Sequence, residues 1–543
     1  MSRFNNILHS LFAFCIVAVL CGCSSDSVPD VEEIGSGSFY LRLHLSTNGE
    51  GGTRAVEDHP YGGETGDGTE EVDAAHPHED DIHDLTIYIY NGTGVNDVAT
   101  TPIKASQYIS GLSLTSTTGY YTTDPIEIKN KDYVKAAGDK IIVLANMGDQ
   151  SGKTKLGEVR DLLVNTAWAR NGSSIKDYYY FAMSSTSDGT LDTSTDGSYS
   201  DPFVGDAYIE RVAARIDFWL IKNVASGTDY ASYEVGTASE KDEFRLSHVR
   251  IVNGSQMPTY NLKRTATAVN PLGTVTYLGD ETAGTAVPHI PTNYVVEPLT
   301  TKKNGSAVIS NTILNAWFGA SSLKNSTSLD FLNNNESKIA SHVSEQFTTV
   351  ESDAAMDALD DTSDGKITCY TLGYVMENTM DKTGQIPQFA TGLELKGTFV
   401  PHPEHVQKLE AGSPKKDDSY TAGSDFWYYE NGTDPTEKII FSNEADATTY
   451  ESMTGKAGTI KHYVKGECYY YVWIRHAMFG SGTGEGTGEF PMEYGIVRNN
   501  IYRIGVRKVE FIGTEVPDPG ATPLTSAMYV REWRLRKESE IVL

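Results

Sequence analysis

Residues 38–55 read SFYLRLHLSTNGEGGTRA. Phe39, Leu41, Leu43 and Leu45 fall on one side of an extended chain, and Tyr40, Arg42, His44 and Ser46 on the other. A period of two predicts a half-buried β-strand, because successive side chains point to opposite faces of a sheet. The pattern stops at Asn48, and a run containing Gly49, Gly51 and Gly52 leads to Arg54, the only basic residue in it. Such a run is flexible enough to enter a protease cleft. A core strand therefore stands beside a cleavable hinge. A strand removed there leaves a slot, and the rest of the fold has to provide for filling it.

The residues ahead of this strand read as an export leader. Arg3 is followed by a mostly apolar, uncharged run over residues 7–20. That run is shorter than the roughly 20 residues a membrane-spanning helix needs. It ends in Leu20-Cys21-Gly22-Cys23, which resembles a bacterial lipobox. Residues 1–22 are expected to be a lipoprotein signal peptide and Cys23 the lipidated residue, with more than one acyl chain for a stable anchor. Residues 23–54 then form a propeptide that begins as a polar tether and carries the removable strand.

Thirty-one Tyr, 50 Gly and frequent Thr and Ser favour strands and turns over helices. The formal net charge is −29; residues 1–54 hold three basic and five acidic groups, so their removal leaves −27. This argues against nucleic acid as a partner, since phosphate binding needs the opposite sign. It suits a soluble, self-repelling surface. Of the five Cys, Cys15, Cys21 and Cys23 belong to the leader. Cys369 and Cys468 remain, each inside an expected strand; in an oxidising, exported setting they either pair or stay as buried thiols. No CxxC or zinc spacing occurs.

Residues 56–81 are polar, and His76, His78, Glu79, Asp80, Asp81, His83 and Asp84 cluster there. Pro77 and the lack of a periodic pattern point to a solvated loop rather than a metal site. Strands are expected at residues 85–90 (LTIYIY), around Ile126 and Ile128, and at 140–145 (KIIVLA), with one short helix over 158–166. The run 207–220 closes a first unit, and the polar passage 225–241 reads as the boundary. A second unit starts with an alternating strand at 244–253. It continues through a helix-spaced stretch at 329–347, strands within 366–380, 411–429 and 462–476, and a long strand pair or bent strand over 495–512. Pro517, Pro519 and Pro523 make a stiff spacer before an extended tail at 528–543. The expected division is 55–230, 231–515 and a tail from 516, in a mainly β fold of antiparallel β-sandwiches with few short helices.

Motifs of catalysis are missing. There is no GxSxG, HExxH or phosphate-binding glycine loop. The glycines of residues 482–488 lack a following Lys-Ser/Thr and read as a turn. Residues 360–365 (DDTSDG) fail as an EF-hand, because the twelfth position from Asp360 is Thr371 rather than a bidentate Glu. No enzyme activity, cofactor or metal is expected.

Several stretches resemble the fimbrillins of the Bacteroidales, in particular the major shaft subunits of the short, Mfa-type fimbriae. They are the lipobox at Cys23; Thr53-Arg54-Ala55; Tyr61-Gly62-Gly63 followed by Asp84-Leu85-Thr86-Ile87-Tyr88; and Arg211-Val212-Ala213-Ala214-Arg215-Ile216. Further on come Tyr374-Val375-Met376-Glu377-Asn378-Thr379, residues 470–476 (YYVWIRH) and residues 497–502 (VRNNIY). The resemblance implies two transthyretin-like β-sandwich domains, export as a lipoprotein, cleavage between Arg54 and Ala55 by an Arg-specific protease, and polymerisation by strand exchange. It also implies a homopolymer at the cell surface, with anchor and tip accessory subunits, that supports adhesion to host or bacterial surface proteins and biofilm formation. The candidate donor strand is the tail, with Met528, Val530, Trp533 and Leu535; both of its faces mix apolar and charged residues. The alternative is a monomeric surface lipoprotein that binds glycans or host proteins and keeps its N-terminal strand.

Overall fold

A computed structural model describes residues 37–46, 71–72, 78–92, 97–117, 120–171, 178–185, 189–220, 230–236, 240–255, 258–266, 291–303, 317–318, 337–338, 368–380, 382–476, 492–517, 531–532, 534–535 and 539–542. These residues build a mainly β fold with few helices, as the composition implies. The first sheet holds β1 (Ser38–Ser46), β2 (Asp84–Asn91), β3 (Ile103–Ser110), β4 (Leu114–Thr117), β5 (Tyr120–Thr123), β6 (Ile126–Lys129), β7 (Asp139–Ala145), β8 (Met183–Ser185), β9 (Gly189–Asp192) and β10 (Phe203–Arg211). Their order is β3-β2-β7-β8-β10-β1-β5-β4, with β9 also pairing β7 and β10, and β6 also pairing β1.

The runs at β2 and β7 are buried on both faces. Leu85, Ile87, Ile89, Ile141, Val143 and Ala145 enter the main core with Phe39, Leu41, Leu43 and Leu45. Tyr88, Tyr90, Ile142 and Leu144 pack on the other face against Leu156 and Val159 of helix α1 (Leu156–Arg160). The helix expected over 158–166 is thus earlier and shorter. Glu158 caps its start by accepting from the Thr154 and Lys155 amides, and Leu163–Val164 extends to pair with Thr259–Tyr260.

The chain leaves this sheet at Val212 and Ala213. Strand β11 (Ala214–Leu220) begins a second sandwich with β12 (Ala231–Val235), β13 (Asp242–Val252), β14 (Thr368–Val375) and β15 (Gly392–Val400). An inserted sheet follows: β16 (Val406–Glu410), β17 (Ser413–Lys416), β18 (Phe426–Asn431), β19 (Lys438–Phe441) and β20 (Gly458–Tyr463), with helix α2 (Glu444–Glu451) capped by Asn443. Strands β21 (Glu467–Trp473) and β22 (Asn500–Lys508) complete the unit. Sheet β14-β11-β22 faces sheet β12-β13-β15-β21. Ile216, Phe218, Ile504 and Val506 from one meet Phe244, Leu246, Leu395 and Val472 from the other in one core.

The run 207–220, expected to close the first unit, is therefore divided between the two. Its two halves bury their apolar sides in different cores, and the passage 225–241, expected as the boundary, contains strand β12 of the second sandwich. Among the described residues of 329–347, Ser337–Lys338 pairs with β13 as strand, not helix. The sheets are not wholly antiparallel either. β1 runs parallel to β10, and β11 runs parallel to β22. Each unit thus sets its first strand beside its last, with an antiparallel strand on the other flank. This structural repeat has no visible counterpart in the sequence.

The tail pairs with its own chain. Strand β23 (Arg531–Glu532) is antiparallel to β22, β24 (Arg534–Leu535) pairs with Glu71–Val72, and β25 (Ser539–Val542) is parallel to β22.

Candidate assembly site: the seat of strand β1

Strand β1 is an interior strand, held on both edges. Leu41 to Ser46 pair with Phe203 to Tyr208 of β10, Ser38 to Leu41 with β6, and His44 to Ser46 with β5. At the break between β5 and β6, the Thr123 hydroxyl accepts the Leu43 amide at 3.0 Å, so the ladder gap leaves no buried donor unpaired. Leu41, Leu43 and Leu45 are 0–1% exposed and Phe39 6%. Phe39 stacks on Tyr133 at 4.4 Å and meets Phe203 at 5.3 Å between ring centroids. On the outer face, His44 Nδ1 lies 3.0 Å from Asp206 Oδ1, an exposed contact worth little.

Gly205 of β10 shapes the seat. A Cβ there would stand 2.7 Å from Ile141 Cδ1 and 3.0 Å from Leu43 Cδ2. The absence of a side chain is what lets Leu43 sink into the core. Gly205→Val is expected to cost about 1–3 kcal/mol by overpacking. Thermal melting of the uncut precursor measures it, and an unchanged transition would show that the seat is looser than described.

Segment 78–83, just downstream of the expected cleavage point, lies over one end of this seat. The Tyr121 hydroxyl of β5 donates to the Asp80 carbonyl at 2.7 Å, and Tyr121 pairs with Leu45 in the ladder. The Asn146 side chain donates to the Asp81 carbonyl at 2.7 Å and accepts the His83 amide at 2.8 Å. The solvated loop expected here is not what forms at its centre. Glu79 is fully buried; its carboxylate accepts from Arg215 at 3.3 Å and from the Tyr374 hydroxyl at 2.6 Å. Asp217 holds Arg215 from the other side through two hydrogen bonds of 3.0 and 3.1 Å. Arg211 pairs with Asp80, donates to the Glu79 carbonyl at 2.9 Å and reaches Asn499 Oδ1 at 3.2 Å. Burial pushes the Arg211 guanidinium down to about 10, so it stays charged at neutral pH. Burial and the neighbouring Glu79 carboxylate hold the Tyr374 phenol far above its ordinary value, as a donor.

A second buried network ties the sheets together. Arg498 pairs with Glu377 and donates to the Asn261 and Tyr260 carbonyls at 2.7 Å each. Arg264 pairs with Glu210 of β10, and Thr259 donates to Glu377. Residues of both units meet here. Arg211, Arg215, Glu377 and Arg498 stand in motifs visible in the sequence, but no periodicity assigned them roles. The only signal was charge inside otherwise apolar strand patterns.

Among the described residues no group of His, Cys, Asp and Glu is arranged to hold a metal; His78 pairs instead with Asp81 at 2.6 Å. Cys468 is a buried free thiol, its ionisation pushed up by burial. The backbone of Cys369 lies in β14; its side chain is outside the described residues. Cys23, Arg54, Ala55, Met528, Val530, Trp533, His76, and residues 360–365 and 482–488 also lie outside them, and Leu535 is described as backbone in β24. No helix among the described residues is long and apolar enough to cross a membrane.

Known proteins bear on the C-terminal part. No curated protein matches the chain. Among solved structures, a putative cell adhesion protein from Parabacteroides distasonis ATCC 8503 is 14% identical, covering 92% of this chain and 100% of its own, with a TM-score of 0.37. A fimbrilin (fimA) from Porphyromonas gingivalis W83 is 13% identical over 93% of this chain and 97% of its own, with a TM-score of 0.33. The tip fimbrial protein Mfa3 from Porphyromonas gingivalis, with C-terminal truncation, is 11% identical over 86% and 94%, with a TM-score of 0.30. A family model described as major fimbrial subunit protein type IV, fimbrillin, C-terminal, matches residues 461–539, from β20 through β21 and β22 into the tail. Over residues 461–539 the chain is similar to the C-terminal part of the fimbrillins.

Proposed function

We propose that the chain is the shaft subunit of a short, Mfa-type cell-surface fimbria, exported as a lipoprotein on Cys23, cut between Arg54 and Ala55, and polymerised by strand exchange. The observation that supports this most is the seat of β1. A strand with its whole apolar face buried, paired on both edges, lies just upstream of the glycine-rich run that ends in Arg54. An assembled copy would receive a neighbour's strand in its place, since added strands bind by backbone pairing with pockets for alternate side chains. The partners are further copies, anchor and tip subunits, and an Arg-specific protease; the polymer serves adhesion and biofilm formation, and no catalysis is proposed. Blocking the cut tests the reading. Arg54→Ala precursor is expected to stay folded and monomeric with β1 in place. Efficient polymers that retain an intact bond after residue 54 would contradict it. Cys23→Ser precursor is expected to accumulate without lipid and without surface fibres, whereas normal fibres from it would rule out the lipoprotein route.

The tail is the proposed donor. Its described strands are two to four residues long, against nine for β1. Its pairing with β22 favours a second reading, in which the tail completes its own sheet. Deleting residues 528–543 separates them. As donor, the truncated monomer keeps its melting temperature and forms no fibres; as part of its own sheet, the monomer unfolds.

A further inference from the structure

A lysine, an asparagine and a glutamate meet in the second unit, away from the β1 seat. Lys303, on the helical turn Thr300–Lys303, is 2% exposed, Asn378 1% and Glu297 4%. Lys303 Nζ lies 2.6 Å from Asn378 Oδ1 and 2.5 Å from Glu297 Oε1. With a carbonyl bond of about 1.2 Å, an amine at that distance from Oδ1 is no more than about 3.8 Å from Cγ, close to a reactive approach. The amide cannot be turned round. Its Nδ2 donates to the Phe389 carbonyl at 2.6 Å, which can only accept, and to the Thr391 hydroxyl at 2.9 Å, whose own proton goes to the Asn253 carbonyl. The carbonyl side of Asn378 therefore faces the amine.

The surroundings are dry. Leu299, Trp317, Phe318, Met380 and Phe389 form a buried cluster here, and Lys303 Nζ stands 5.8 Å from the Trp317 ring centroid. Burial pulls the Lys303 ammonium below its ordinary value, with Glu297 opposing. An ion pair alone accounts for Lys303 and Glu297. The same ammonium donates to Asn378 Oδ1, so the network that fixes the carboxamide also holds its carbonyl group beside the amine.

We propose that Lys303 and Asn378 form an intramolecular amide cross-link, with Glu297 as the proton carrier. Glu297 takes a proton from the Lys303 ammonium, and the neutral Nζ attacks Cγ of Asn378. The tetrahedral adduct passes its extra Nζ proton, by way of the Glu297 carboxyl, to Nδ2. The Cγ–Nδ2 bond breaks and ammonia leaves, so one C–N bond forms, one breaks, and no oxidant, reductant or metal is consumed. The product ties together residues 75 apart in sequence and fixes the Thr300–Lys303 turn to the end of β14. A subunit cross-linked in this way resists extension of the intervening chain under load, independently of how subunits join.

Mass spectrometry of the purified full chain, unfolded before measurement, tests this. The expected mass is one ammonia below that of its sequence, and trypsin yields a branched peptide joining residues 303 and 378. Lys303→Arg, which keeps the positive charge beside Glu297, and Glu297→Gln are both expected at full mass with no branched peptide. Wild-type chain at full mass overturns the proposal, as does an ammonia loss without the 303–378 branch, which would mark cyclisation at another amide. A branched peptide persisting in Glu297→Gln overturns the proton-carrier role.

Discussion

Cutting the precursor after Arg54 in dilute solution, with no other strand on offer, is expected to abolish the separate thermal transition of the first sandwich. Phe39, Leu41, Leu43 and Leu45 are buried, and each contributes roughly 1.5–3 kcal/mol on full burial. Losing the strand therefore removes on the order of 6–12 kcal/mol, against a total of only about 5–15 kcal/mol for a domain. It also exposes the facing edges of β10 and of β5 and β6, which were paired with β1. Calorimetry on cut and uncut protein measures the loss, and size-exclusion at rising concentration shows whether the exposed edges recruit other copies. A cut chain that released β1 yet melted like the precursor would mean that the first unit repacks without it.

The largest single-residue effect is expected at Arg215. Arg215→Met leaves the Glu79 and Asp217 carboxylates fully buried without the guanidinium that both now contact. Stranding buried charge in this way costs about 3–5 kcal/mol, read as a lower urea midpoint at unchanged slope. Lys241→Met, which breaks a 2.5 Å pair to Glu234 with side chains 40% and 72% exposed, is expected to cost no more than about 1 kcal/mol. Equal effects at the two sites would show that the Glu79–Arg215–Asp217 cluster is solvated. The cluster matters for assembly because Glu79 and Asp80 follow the cleavage point. They would keep the new N-terminal segment fastened to Arg211 and Arg215 after β1 has gone.

Strand β1 was legible in the sequence because a period of two survives when one face is apolar and the other polar, and both faces behave as the alternation implies. The strands β2 and β7 were legible as apolar runs buried on both sides. The unit boundary was not. The polar stretch 225–241 holds strand β12, whereas the crossing between the sheets at Val212 and Ala213 is short and apolar and so has no compositional signature. The parallel placement of β1 against β10 was equally hidden, since alternation fixes which face is buried and says nothing about the neighbouring strand. Glu79 looked like one more carboxylate in an acidic loop. Its burial depends on Arg215 and Tyr374, 136 and 295 residues away, and local sequence does not carry such contacts.

The N terminus of the subunit within purified surface fibres tests the central claim most directly. Mass spectrometry of dissociated fibres should find chains beginning at Ala55 and no peptide spanning Phe39 to Leu45. Fibres built from chains that begin at Cys23 and retain that peptide would contradict the exchange of β1.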